Sequence, residues 1–370
     1  MICIMVRINQ AVKRDSFFVY ESGAVAEPMY RMRTIRQLSC FFFAALIGGC
    51  ATEARIVEAN RGTLYQHQWV DVAHPKTGQK LEAIAKLLSG YDAVFFGEIH
   101  RHPGVHLAQM ALLQAMHELN PDLTLSLEQF ERDVQPYLDD YLAGKTGEQY
   151  LRDKARAWNN YPTSYRPLVE YAKQHQLPVI AANAPKTAVI CVGQKGLGIL
   201  DAIPEPERSH VARQIDISEG SYRDKYMAFF ANNSSHGGRT AGRPSATMQK
   251  MAEHSFSAQA VRDDTMAESI AHHLLNNPRR QVVHLNGSFH SEDFLGAVER
   301  LARRMPELKI AVINPVQTDS TGFDWTREKL DSGTVLLGVS RLPKDFIQEE
   351  HKREWSRMVL KKRINNKCPY

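Results

Sequence analysis

The apolar positions of this chain gather into short runs, each closed by a polar residue. Residues 91–96 lead into Gly97-Glu98-Ile99-His100, and 123–127 into Glu128. Residues 179–182 lead into Asn183, 281–285 into Asn286-Gly287-Ser288-Phe289-His290, and 309–313 into Asn314. Mostly apolar, β-branched runs of that length, separated by segments of helical spacing, predict buried parallel strands. Between the first two runs, Val105, Met110, Leu112, Leu113, Met116 and Leu119 recur at helical spacing, and Pro103 suits a first helical position. A longer helical stretch, 134–176, is broken at Gly144, Pro162 and Pro167. The expected fold class is therefore α/β, a mostly parallel central sheet flanked by helices. Ligands of such sheets bind beyond the carboxyl ends of the strands. One edge should gather Glu98, His100, Glu128 and His290.

An insertion from about 184 to 277 separates the third strand from the fourth. Its length predicts a helical lid or insertion subdomain over that edge. Gly193, Gly196, Gly198, Pro204 and Pro206 mark loops at its start, 232–244 reads as a mobile polar loop, and 257–275 returns to helical spacing. A strand or hairpin is expected at 64–72 and a strand at 334–339. Residues 351–370 hold seven Lys/Arg and one acid. They read as a solvated or frayed tail, with contact to a membrane surface as the other reading.

Composition changes this picture little. The 370 residues are 43% hydrophobic, enough for one large domain or two smaller ones, and the net charge is +5. That mild balance, without an aromatic-basic motif, argues against nucleic acid as a partner. The N-terminal region is more telling. Arg33 and Arg36 precede an apolar stretch, 38–47, too short to span a membrane, and Ile47-Gly48-Gly49-Cys50 follows. This resembles a bacterial lipobox in which Cys50 becomes the lipidated first residue; an ordinary signal peptide or a buried apolar helix are the alternatives. The expected division is 1–31 as a mis-assigned start or disordered segment, 32–49 as signal peptide, 50–64 as lipid tether, 65–345 as the α/β domain and 346–370 as a basic tail. It places the protein in the bacterial cell envelope, lipid-anchored, at the outer membrane. Cys3 and Cys40 would leave with the leader. Cys191 and Cys368 can bridge in an oxidising compartment, which spacing does not decide.

Glu98 and His100 are two apart, so on extended backbone their side chains point the same way. With Glu128 and His290 they make a pocket of two histidines and two carboxylates. Such a set suits a divalent metal or acid–base chemistry; the structural reading is a buried network in which carboxylates hold each histidine. His102 and His106 are four apart, but no Glu follows His102, so both read as surface histidines, as does the pair His272-His273. Trp158, Tyr161 and Tyr165 form an aromatic cluster, and Tyr222 and Tyr226 share a helix face. Each tyrosine alone reads as a packed residue.

Several motifs occur together: Val94-Phe95-Phe96-Gly97-Glu98-Ile99-His100, Ser126-Leu127-Glu128-Gln129-Phe130 and Tyr165-Arg166-Pro167-Leu168-Val169-Glu170-Tyr171-Ala172. Ile180-Ala181-Ala182-Asn183-Ala184-Pro185, Ala258-Gln259-Ala260-Val261-Arg262-Asp263-Asp264-Thr265-Met266-Ala267 and Asn286-Gly287-Ser288-Phe289-His290 complete the series. In this order, over about 91–315, the chain resembles the ChaN-like haem-binding lipoproteins of the Tiki superfamily. The resemblance implies haem handling outside the cytoplasm, beside an outer-membrane haem receptor, in a binding protein rather than an enzyme. It implies two haems face to face in a homodimer, each ferric iron ligated by a tyrosine, with basic side chains holding the propionates. Tyr165 is the first candidate ligand and Tyr161 the second; His106, His236, Lys173 and Lys186 are candidates for the propionates. Other Tiki-type proteins are metal-dependent proteases with paired Gly-x-x-His motifs. The alternative is therefore a metallohydrolase using His100 and His290, with Glu98 or Glu128 as the acid.

Overall fold

The computed structural model describes residues 63–234, 245–318 and 327–370. The leader, Cys50 and the loop residues 235–244, His236 among them, lie outside the described residues. The chain runs through β1 (His67–Asp71), α1 (Leu81–Leu88), β2 (Ala93–Glu98), α2 (Pro103–Leu119) and β3 (Leu123–Glu131). It continues with α3 (Gln135–Leu142), α4 (Glu148–Lys154), a π-helical turn (Tyr161–Tyr165), α5 (Arg166–Gln174) and β4 (Val179–Asn183). The insertion holds α6 (Lys186–Lys195), α7 (Ser221–Ser234) and α8 (Ala246–Asn276). Then follow β5 (Gln281–Gly287), α9 (Ala297–Arg304), β6 (Ile310–Thr318), α10 (Arg327–Leu330), β7 (Val335–Ser340) and α11 (Glu349–Asn365).

The strands form one sheet in the order β1-β7-β6-β2-β5-β3-β4, with β1 antiparallel to β7 and the other pairs parallel. All five runs are strands of this sheet; burial on both faces keeps them mostly apolar, and the buried Ser126 and His284 within them bond to each other. Val94 and Phe96 pack with α1 to α5 on one face, while Ala93 and Phe95 pack with α8 and α9 on the other. β5 returns between β2 and β3, and β6 then continues on the far side of β2. The chain thus changes direction beside β2, which is where an open α/β sheet has its crevice. Glu98 pairs in register with Gly287, so the two Gly-x-x-His strand ends lie next to each other.

Three details differ from the sequence expectation. Pro162 and Pro167 stand just after the breaks rather than in them: each falls in the first turn of a new helical segment, where no amide bond is lost. α8 begins at Ala246, eleven residues before the apolar spacing does, capped by the Ser245 side chain accepting from the Met248 amide. The basic end is not frayed. It forms α11, and beyond it Cys368 is bonded to Cys191 of α6. Gln194 donates to the Asn366 carbonyl at 2.6 Å and accepts from the Cys368 amide at 3.0 Å, and Lys195 binds the Tyr370 carbonyl.

Candidate functional site

Glu98 ends β2 with its carboxylate buried. Oε1 accepts from the Tyr165 hydroxyl at 2.5 Å, from His100 Nδ1 at 2.8 Å and from Gln129 at 3.3 Å. Oε2 accepts from Gln109 at 3.0 Å, and His106 Nδ1 lies 3.9 Å from it. Burial alone would raise this carboxyl, but the His100 bond, the nearby His106 and the Tyr165 hydroxyl outweigh it and hold it below its ordinary value. For His100 burial works the other way, and the Glu98 bond with the Glu128 charge still lifts it above its ordinary value. The His100 side chain is half exposed, with Nδ1 tied to Glu98.

The second half is built around His290. Its Nδ1 donates to Asp263 Oδ1 at 2.6 Å, and its Nε2 stands 3.5 Å from Glu128 Oε1. Tyr222 donates to the other Asp263 oxygen at 2.6 Å, and Gln259 donates to the Tyr222 hydroxyl. Burial disfavours a charged His290, yet Asp263 and Glu128 together lift it above its ordinary value. Glu128 is aimed here by a register shift between β3 and β4 that sets in after Leu127, and its Oε2 accepts from the Gly287 amide at 2.6 Å.

Close approach explains the motif glycines. A β-carbon on Gly287 would meet His100 Nε2 at 2.9 Å and Glu128 Oε2 at 3.7 Å. One on Gly97 would meet the Ser288 backbone at 3.0 Å and the Ile313 carbonyl at 3.2 Å. Glycine at both positions lets the two histidine loops touch.

Glu98, His100, Glu128 and His290 are therefore brought together, as expected, but as two carboxylate–histidine units. Among the described residues no group of three or more His, Cys, Asp or Glu is set to hold a metal ion. Each histidine's Nδ1 is bonded to a carboxylate, which fixes the ring and turns Nε2 toward the site. A half-exposed imidazole oriented by a carboxylate can move protons at Nε2.

The candidate tyrosines lie inside the protein. Tyr165 and Tyr161 are 0% and 1% exposed. Burial and the Glu98 charge push the Tyr165 hydroxyl far up, and burial does the same to Tyr161, whose hydroxyl has no partner among the described residues. Both phenols stay protonated and out of solvent in this arrangement. His102 and His106 are not surface histidines. His102 is fully buried and caps α2, its Nδ1 accepting from the Gly104 amide and its Nε2 donating to the Ser340 carbonyl at 2.7 Å. His106 sits under Glu98 against the Tyr165 ring, bonded to Gln109 at 2.9 Å. Lys173 lies over the Tyr141 ring, and Lys186 is exposed.

Sequence spacing assigns no role in this site to Asp263, Tyr222, Gln109 or Gln129. One signal exists: Asp263 and Asp264 stand inside the apolar helical pattern of Ala260, Val261, Met266 and Ala267, and acids on such a face need partners. Asp264 has two. Arg300, 2% exposed, donates to it at 3.0 Å and Arg304 at 2.8 Å, while the Arg300 guanidinium also stacks 5.0 Å from the Tyr222 ring. Replacing Arg300 with leucine leaves a buried carboxylate half-paired, and the expected loss of stability is about 3–5 kcal/mol. Chemical denaturation checks this; a loss under ~1 kcal/mol would mean the pair is not closed to water.

Compared with known proteins, this fold is similar to the structure of cofacial heme binding to ChaN of Campylobacter jejuni. The TM-score is 0.56 at 14% identity, over 75% of this chain and 97% of that one. An erythromycin esterase, EreC, in its open conformation aligns with a TM-score of 0.41 at 15% identity, over 78% of this chain and 86% of that one. No curated protein matches. The family described as haem-binding uptake, Tiki superfamily, ChaN, matches residues 84–301. The chain belongs to that family.

Proposed function

We propose that this chain is a lipid-anchored haem-binding protein of the bacterial envelope that takes part in haem and iron uptake. The observation that carries the reading is the family match across 84–301, which takes in both Gly-x-x-His strand ends and the insertion. A small exposed aromatic patch supports it. Phe229, half exposed, and the partly buried Phe289 have ring centroids 5.2 Å apart and pack against the buried Tyr226, which packs on Phe256. Covering that patch with a macrocycle removes apolar surface from water, and two chains meeting around stacked haems remove more. The anchor is Cys50, and the leader pattern supports it.

In this reading ferric iron takes a phenolate oxygen. Tyr165 is the first ligand candidate and Tyr161 the second. For either to serve, the π-helical turn must swing outward and Tyr165 must leave Glu98, so haem loading would be coupled to the state of the carboxylate–histidine pair. The test is an absorbance titration of apo-protein with ferric haem, alongside Tyr165→Phe, Tyr161→Phe and Tyr226→Phe. Saturable binding with a five-coordinate phenolate spectrum, lost in one variant, is expected. Saturable binding unchanged in all three would remove tyrosine ligation by these residues. Binding that never saturates would overturn the haem reading.

A further inference from the structure

One basic surface outside the site is α11, which lies beyond the family match. Its acids Glu349 and Glu350 occupy the first turn, and from residue 351 onward seven Lys/Arg stand against one acid. Lys352, Arg353, Arg357 and Lys361 are exposed, and their side chains make no ion pair or hydrogen bond among the described residues. Arg353, Arg357 and Lys361, four apart, form one stripe along the helix. Trp355 and Met358, three apart, form a ridge beside it, 50% and 59% exposed, and Ile347 just before the helix is 84% exposed. Trp355 also leans on the Phe346 ring, which fixes the ridge to the preceding segment. None of the described helices is long and apolar enough to cross a membrane.

We propose that α11 is a docking element for an anionic lipid surface. The charge is complementary to phospholipid headgroups. The exposed Ile, Trp and Met side chains fit the boundary between headgroups and acyl chains, where tryptophan is favoured. A second copy of this chain would bring two basic helices together, which repel. A nucleic acid would use the basic stripe and leave the apolar ridge in water. The disulfide to Cys191, with the bonds of Gln194 and Lys195, holds the far end of the helix to α6, so docking α11 would set the orientation of the α/β domain over the bilayer.

The test uses the full chain carrying Cys50→Ser, which bears no lipid at that position. Its partition onto vesicles of phosphatidylcholine with about one-third phosphatidylglycerol is measured against vesicles of phosphatidylcholine alone. Strong preference for the anionic vesicles is expected, weakening at least ~tenfold between ~0.1 and ~0.5 M salt as screening shortens. Replacing Lys352, Arg353, Arg357 and Lys361 with Gln should weaken it by a similar factor. Trp355→Ser with Met358→Ser should weaken it several-fold at unchanged salt dependence, with far-UV circular dichroism verifying that both variants remain folded. Equal binding to neutral vesicles, or unchanged binding in either variant, would overturn the proposal. So would binding to an oligonucleotide without binding to vesicles.

Discussion

Glu98→Ala should destabilise the protein by on the order of 5 kcal/mol, because the carboxylate is the common acceptor of three buried donors. Tyr165, Gln109 and Gln129 all lose their acceptor, and each is 3% exposed or less, so water does not replace it. Against a typical total of about 5–15 kcal/mol, that is a large fraction of the stability. Glu98→Gln keeps the shape but puts an amide donor among donors, and should lose about half as much. Both substitutions should also bring His100 back toward 6.5, since its bond to Glu98 is one of the causes holding it above that value. Denaturant unfolding reads the first effect and an NMR titration of the imidazole the second. A loss below ~1 kcal/mol would show that these donors do not converge on Glu98.

The second large effect is a loss of stability in acid, and it centres on His284. This ring is fully buried in β5, edge-on to Phe95, bonded to Ser126 through Nδ1 and without a partner at Nε2 among the described residues. Burial, with His290 nearby, pushes it down to about 3 from 6.5. Its folded value lies below its unfolded value, so its contribution is fully present above pH 6.5 and is lost as pH falls from 6.5 toward 3. The slope is about 1.4 kcal/mol per pH unit, so this one ring should remove roughly 3 kcal/mol between about pH 6.5 and 4 and about 5 kcal/mol by about pH 3. His100 and His290 are raised, so their contribution is intact below 6.5 and fades as pH rises through their folded values. Glu98 is lowered, so its share is lost only further down, as pH falls below 4.5 toward its folded value. Stability should therefore peak near pH 6.5. His284→Gln keeps a donor for Ser126 and should flatten the acid limb by roughly 3 kcal/mol between about pH 7 and 4. An acid limb of equal slope in that variant would assign the acid loss to other groups.

Much of this architecture was legible because buried parallel strands write themselves as short, mostly apolar runs. A polar residue that ends such a run stands at the sheet edge where ligands bind, and so spacing along the chain was enough to group Glu98, His100, Glu128 and His290. The partners of those residues were less legible. Asp263 is 27 positions from His290 in sequence, and Tyr165 is 67 from Glu98. His102 and His106 looked like surface residues because the burial of His102 depends on Ser340 of β7, 238 positions away, and that of His106 on α2 folding back against Glu98 and Tyr165. The start of α8 carries no apolar stripe, so its helical state rests on a cap and on continuity with the buried half.

By itself the sequence determined the strands, the α/β class, the family motifs and the residues at the sheet edge. Local spacing and solvent exclusion are enough for that. Only the tertiary structure decided that the site is two carboxylate–histidine units meeting over Gly287, that Tyr161 and Tyr165 are buried, and that Cys191 joins Cys368. Those outcomes depend on which distant segments come within hydrogen-bonding distance, and strand order and close backbone packing set that, not the spacing along the chain.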